Sequence, residues 1–102
     1  MNTVELNELT KEAMKTRNTH LKNVVDDIKT KFKYWLVEHP EKKGTDSDTY
    51  ANMSEDEQMA IFKKLADMRK QTIEQSAGRE DIIADATAEL AILKQWLPEE
   101  VS

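Results

Sequence analysis

The sequence predicts an all-α fold of four helices in two antiparallel hairpins. Two observations lead there. The 102 residues hold only two glycines and two prolines, too few breaks for a many-turned β architecture. Apolar residues recur three and four positions apart in four separate segments, and short connections return successive helices antiparallel.

The first helix is expected over residues 3–16. Asn2 and Glu5 have capping-box spacing, and Leu6, Leu9, Ala13 and Met14 make one narrow apolar stripe. Asn18-Thr19 supplies a break and a candidate N-cap. The second helix is expected over 19–38. Leu21, Val24, Val25, Ile28, Phe32, Trp35 and Leu36 share a face, while Lys22, Lys29, Lys31 and Lys33 occupy the other. Pro40 ends it, because a residue before proline is pushed out of the α region.

Residues 40–53 lack apolar periodicity and read as an exposed loop rich in turn formers. The third helix, 55–76, opens behind Ser54, which can accept from the Glu57 N–H while Glu57 reaches back. Its stripe is Ile61, Phe62, Leu65, Met68, Thr72 and Ile73, and Gly78 follows as a left-handed terminator. The fourth helix, 80–97, buries Ile82, Ile83, Ala86, Leu90, Leu93 and Leu97, has Trp96 beside the stripe, and stops at Pro98. Residues 1–102 read as one helical domain without internal repeats. Trp35 and Trp96 are expected in or beside the core, since aromatic residues dominate small cores.

Composition narrows the function. There are no cysteines, which excludes disulfides and thiolate metal sites. No apolar run approaches the length of a membrane span, and the acidic, polar start does not resemble a secretory signal, so a cytoplasmic location is expected. Charge is uneven. Residues 1–39 carry seven basic and six acidic side chains, whereas residues 40–102 carry eight basic and fourteen acidic ones. An acidic chain is poorly suited to broad nucleic-acid binding, which needs a positive face. A protein partner is the simpler expectation.

Catalytic and metal-binding patterns are weak. His20 and His39 stand at opposite ends of one predicted helix, more than roughly 20 Å apart at the helical rise. They cannot share a metal, and surface or capping roles suffice for them. The carboxylates at Asp26-Asp27, Asp46/Asp48 and Glu55–Glu57 read as solvated faces and caps. Asp46-x-Asp48 lacks the glycine and closing glutamate of a calcium loop. No glycine-rich phosphate loop or nucleophile elbow is present, so neither an enzyme nor a cofactor nor a small-molecule substrate is expected. The candidate partner-binding residues are the lysines Lys22, Lys29 and Lys33, together with Arg69, Lys70 and Arg79 at the second hairpin. Charge reversal at Arg69 and Arg79 is expected to weaken partner binding with little effect on stability. The bland alternative is that Arg79 and Asp81 cap the hairpin around Gly78.

The second hairpin also carries a resemblance. Thr72-Ile73-Glu74-Gln75 runs into Ala77-Gly78-Arg79-x-Asp81, and the following helix closes with Glu89-Leu90-x-Ile92-Leu93-x-x-Trp96-Leu97-Pro98. This pattern resembles the end of the N-terminal helical domain of YqeY-type proteins, which are related to the tail of the B subunit of tRNA-dependent amidotransferases. Ala13-Met14-Lys15 and Leu21–Val24 match the family's first two helices more weakly. Val25 stands where the family commonly has arginine, and the turn between Gln75 and Ala77 is about two residues shorter and lacks an aromatic. The sequence ends four residues past Pro98, with nothing corresponding to the small C-terminal domain linked with tRNA contact. Met1–Leu6 and Leu21–Trp35 further resemble the valyl-tRNA synthetase modifiers of large bacteriophages. These resemblances imply a non-catalytic module that binds an aminoacyl-tRNA synthetase, valyl the favoured case, and alters its tRNA binding or stability. The alternatives are direct tRNA binding, as in amidotransferase tails, and a helical interaction protein with an unrelated partner.

Overall fold

A computed structural model describes residues 2–97. Four α-helices follow one another: α1 (Thr3–Thr16), α2 (Thr19–Glu38), α3 (Glu55–Gln75) and α4 (Glu80–Lys94), with a short 3-10 turn at Pro40–Lys42. The described residues contain no strand, and the fold is all-α.

Local chemistry starts and stops each helix. The Asn2 side chain accepts the Glu5 N–H at 2.9 Å, and the Asn18 side chain accepts the Leu21 N–H at 3.0 Å. Ser54 and Glu57 close a complete capping box at 3.1 and 3.2 Å. Each such cap contributes about 1 kcal/mol. The α1–α2 turn has a feature absent from the sequence reading: Arg17 is left-handed, at φ 55° and ψ 37°. The Asn18 N–H bonds to the Ala13 carbonyl and the Arg17 N–H to the Met14 carbonyl, which makes a Schellman motif around a non-glycine residue. Gly78 takes the expected left-handed conformation, at φ 85°.

α4 stops at Lys94, three residues before the expected end. The N–H groups of Gln95, Trp96 and Leu97 each bond to the carbonyl three residues back, so the last turn tightens out of α geometry. Pro98, the expected stop, lies outside the described residues.

α2 is the hub. It packs against α1 on one side and against α3 and α4 on the other, while α3 and α4 pair most extensively with each other. All four helices feed one core, with Leu6, Val24, Val25, Ile28, Phe32, Leu65 and Leu93 fully buried. An aromatic chain runs through it: Tyr50 meets Phe32 edge-on at 5.2 Å, Phe32 meets Phe62 at 6.1 Å, and Phe62 stacks on Trp96 at 5.8 Å. Two expected stripe residues are exposed instead, Met14 at 67% and Met68 at 43%. Met14 is one residue past buried Ala13, about 100° around the helix, and α1 has only one helical neighbour to cover it. On α3 the buried place falls to Ala66.

Residues 40–53 are largely exposed, as expected from the sequence, but the segment is anchored to the core and to α1. Met53 is buried and Tyr50 packs on the core, which raises the Tyr50 pKa through desolvation. The segment also bonds to the start of α1: the Thr3 N–H reaches Asp48 Oδ1 at 3.4 Å, and the Thr49 N–H donates to Thr3 Oγ1 at 3.0 Å. Gly44 permits the tight crossing, because a Cβ there would lie 2.2 Å from the Asp48 carbonyl oxygen. At the loop's edge, Trp35 Nε1 donates to Glu57 Oε2 at 2.8 Å, His39 stacks on the indole at 4.8 Å, and Lys42 Nζ sits 5.8 Å from the ring. Glu57 is held below the usual carboxylate range, first by the Ser54 backbone hydrogen bond, then by the Ser54 hydroxyl, the Trp35 indole and the Lys42 charge.

Candidate functional site

An open cleft of about 560 Å³ lies between α2, α3 and α4. Asn23, Asp26 and Asp27 come from α2, Arg69 and Thr72 from α3, and Ile82, Asp85, Ala86 and Glu89 from α4. The antiparallel α3–α4 hairpin sets Arg69 opposite Glu89, and α2 lies across both.

Glu89 is the one buried charged residue among those described, at 8% exposure. Its Oε1 accepts from Arg69 Nε at 3.0 Å. Its Oε2 lies 3.3 Å from Asn23 Nδ2 and 3.3 Å from His20 Nδ1. Arg69 Nη2 also donates to Asp27 Oδ2, and His20 Nε2 lies 3.8 Å from exposed Asp85. One carboxylate thus gathers polar groups from α2 and α3, and the guanidinium fork serves two carboxylates. No buried side-chain polar atom among the described residues lacks a partner. The network is a polar clamp across three helices. Four carboxylates line the cleft against one guanidinium, so its mouth is acidic and ill-suited to phosphate.

This placement corrects the reading of Arg69. It does not stand on an open basic edge; its side chain is only 13% exposed and pairs with Asp27 and Glu89. Charge reversal there puts a third carboxylate beside two others, so an unchanged stability is not expected after all. Sequence reasoning missed Glu89, Asn23 and His20 as members of the same cluster. A signal existed: Arg69 is four residues past Leu65, and Glu89 is three past Ala86, so both charges fall inside apolar stripes.

The other candidates are dispersed. Lys22 pairs with Asp26 at 3.5 Å, one turn along α2. Lys29 reaches across to α1, donating to Thr10 Oγ1 at 2.6 Å. Lys33 is exposed, and Lys70 is half-buried. Arg79 is exposed at the N-cap of α4 and makes no side-chain capping bond, so the anticipated Arg79 cap is not formed. Trp35 contacts Glu57 near the start of α3, whereas Asp27 contacts Arg69 farther along it, so α2 and α3 run antiparallel. The α3–α4 turn bearing Arg79 therefore lies beyond the N-terminal end of α2, about 20 Å along the helix from Lys33. The two candidate surfaces stay separate at the Lys33 end, whereas Lys22 lies near the end of α2 that faces the Arg79 turn.

Among the described residues, no group of three or more His, Cys, Asp or Glu side chains converges to hold a metal ion. Nor is any helix of the described residues long and apolar enough to cross a membrane.

Comparison with known proteins places the chain. No curated protein and no solved structure matches it. Residues 3–102 match the family described as Yqey-like protein, nearly the whole sequence. The chain belongs to the YqeY-like family.

Proposed function

We propose that this protein is a non-catalytic helical binding module of the cytoplasm. In this reading it associates with an aminoacyl-tRNA synthetase, valyl-tRNA synthetase being favoured, and changes that enzyme's tRNA binding or stability. One observation supports the non-catalytic part: the most enclosed ionisable groups of the cleft, Arg69 and Glu89, are committed to each other. Arg69 is engaged by Asp27 and Glu89, and Glu89 by Arg69, Asn23 and His20, which favours a role in holding helices together over acid–base or nucleophilic chemistry. The synthetase partner rests on the likeness of Met1–Leu6 and Leu21–Trp35 to the phage modifiers.

Direct tRNA binding is the second reading. It draws on Lys29, Lys31 and Lys33, none of which has a carboxylate partner among the described residues. The net charge of −5 and the acidic cleft weigh against it. Affinity capture from a bacterial lysate, with and without nuclease, tests the choice. Recovery of the synthetase under both conditions is expected. Nuclease-sensitive recovery of tRNA alone transfers the assignment to the second reading, and recovery of no synthetase refutes the first.

A further inference from the structure

The outer face of α2 brings exposed apolar groups and positive charge together. Tyr34 is 62% exposed and Val37 70% exposed, one turn apart. With exposed Thr30 they fall at i, i+4 and i+7, a continuous ridge on a helix. At about 100° per residue, Lys33 flanks this ridge on one side and Lys31 on the other. Residues 28–38 hold three lysines, one of them bonded to α1, against the single carboxylate of Glu38, in a chain of net charge −5. Toward the start of α2 the same line continues through Asn23 and Asp27, which bond to α4 and α3, while Lys29 on one flank bonds to α1.

We infer that this face of α2 docks an acidic amphipathic helix of a protein partner. The inference rests on the binding-module reading above and deepens it by naming the surface and the chemistry of the partner's segment. Charge selects the occupant. A partner helix with apolar residues at i, i+3 or i+4 seats on Tyr34 and Val37, and glutamates beside that stripe meet Lys31 and Lys33. The tyrosine supplies a large contact area at small entropic cost, as interface anchors do. RNA would use the lysines but gain nothing from Val37, and the rest of the molecule would repel it.

The test uses the full chain, isotope-labelled, and two synthetic 18-residue peptides. Both carry leucines at helical spacing; one is flanked by glutamates and the other by lysines. The glutamate peptide is expected to move the backbone resonances of residues 30–37. Lys31→Glu with Lys33→Glu, or Tyr34→Ala with Val37→Ala, should weaken it at least tenfold while leaving the helical spectrum intact. Equal binding of both peptides, or shifts confined to other residues, overturns the inference. So does a transfer RNA that moves residues 30–37 when the acidic peptide does not, or self-association through those residues. Synthetase capture separates the two levels. If the Tyr34/Val37 variant captures synthetase as well as wild type does, the synthetase reading stands and this face is not its site. If wild type captures none but binds the glutamate peptide through this face, the face stands and the synthetase reading falls.

Discussion

Replacing Arg69 by alanine tests whether the polar clamp holds α2, α3 and α4 together. Breaking a buried ion pair by removing one partner costs about 3–5 kcal/mol. Two features reduce that here. Asp27 is 44% exposed, so water can take over its hydrogen bond. Glu89, at 11% side-chain exposure, keeps Asn23 and His20 as partners. The expected loss is about 2–4 kcal/mol, which for a domain near 100 residues lowers Tm by roughly 10–20 °C. Urea unfolding followed by circular dichroism measures it, with an unchanged m value confirming that the native fold persists. Arg79→Ala is the control, because that side chain is exposed and makes no capping bond; its effect should stay within about 0.5 kcal/mol. Arg69→Lys should also lose stability, since an ammonium cannot span both carboxylates as the fork does. A double-mutant cycle with Glu89→Gln then isolates the pair, with an expected coupling of about 1–3 kcal/mol. If Arg69→Ala and Arg79→Ala melt together, Arg69 is a surface group and the clamp does not exist.

Three further outcomes follow from the same geometry. Arg17→Gly should stabilise by about 0.5–1 kcal/mol, the relief of left-handed strain exceeding the added freedom of the unfolded chain; thermal melts check the sign. Gly44→Ala should cost about 1–3 kcal/mol, because the new Cβ meets the Asp48 carbonyl and must displace the segment that carries Tyr50 and Met53; faster amide exchange at Thr49 would report the undocking. The depressed pKa of Glu57 means that the folded state holds this carboxylate ionised more firmly than the unfolded chain does. Its contribution is therefore complete above the unfolded pKa and is lost as pH falls through the lower folded value. In a Trp96→Phe background, Trp35 fluorescence should change over that acidic window, and Glu57→Gln should flatten the acid limb of stability.

Helix positions were legible because their determinants are local. Asn2, Asn18 and Ser54 cap within three residues of themselves, and Gly78 needs only its own backbone. The docking of residues 40–53 was not legible, since Tyr50 and Met53 are isolated apolar residues with no period to show which surface they cover. The clamp lies between these cases. Periodicity marks Arg69 and Glu89 as charges on buried stripes, and a charge in such a place requires an opposite charge facing it. It does not reveal that Glu89 is the partner, nor that Asn23 and His20 complete the shell, because those pairings span 20, 66 and 69 positions in sequence. The same logic sorts the basic residues of α2 and α3. A basic residue on an apolar stripe belongs to the fold, whereas one beside an exposed apolar ridge is free to meet a partner. Arg69 falls in the first class. Lys33, next to Tyr34 and Val37, falls in the second, and the search for a partner's contact therefore moves from the cleft to the outer face of α2.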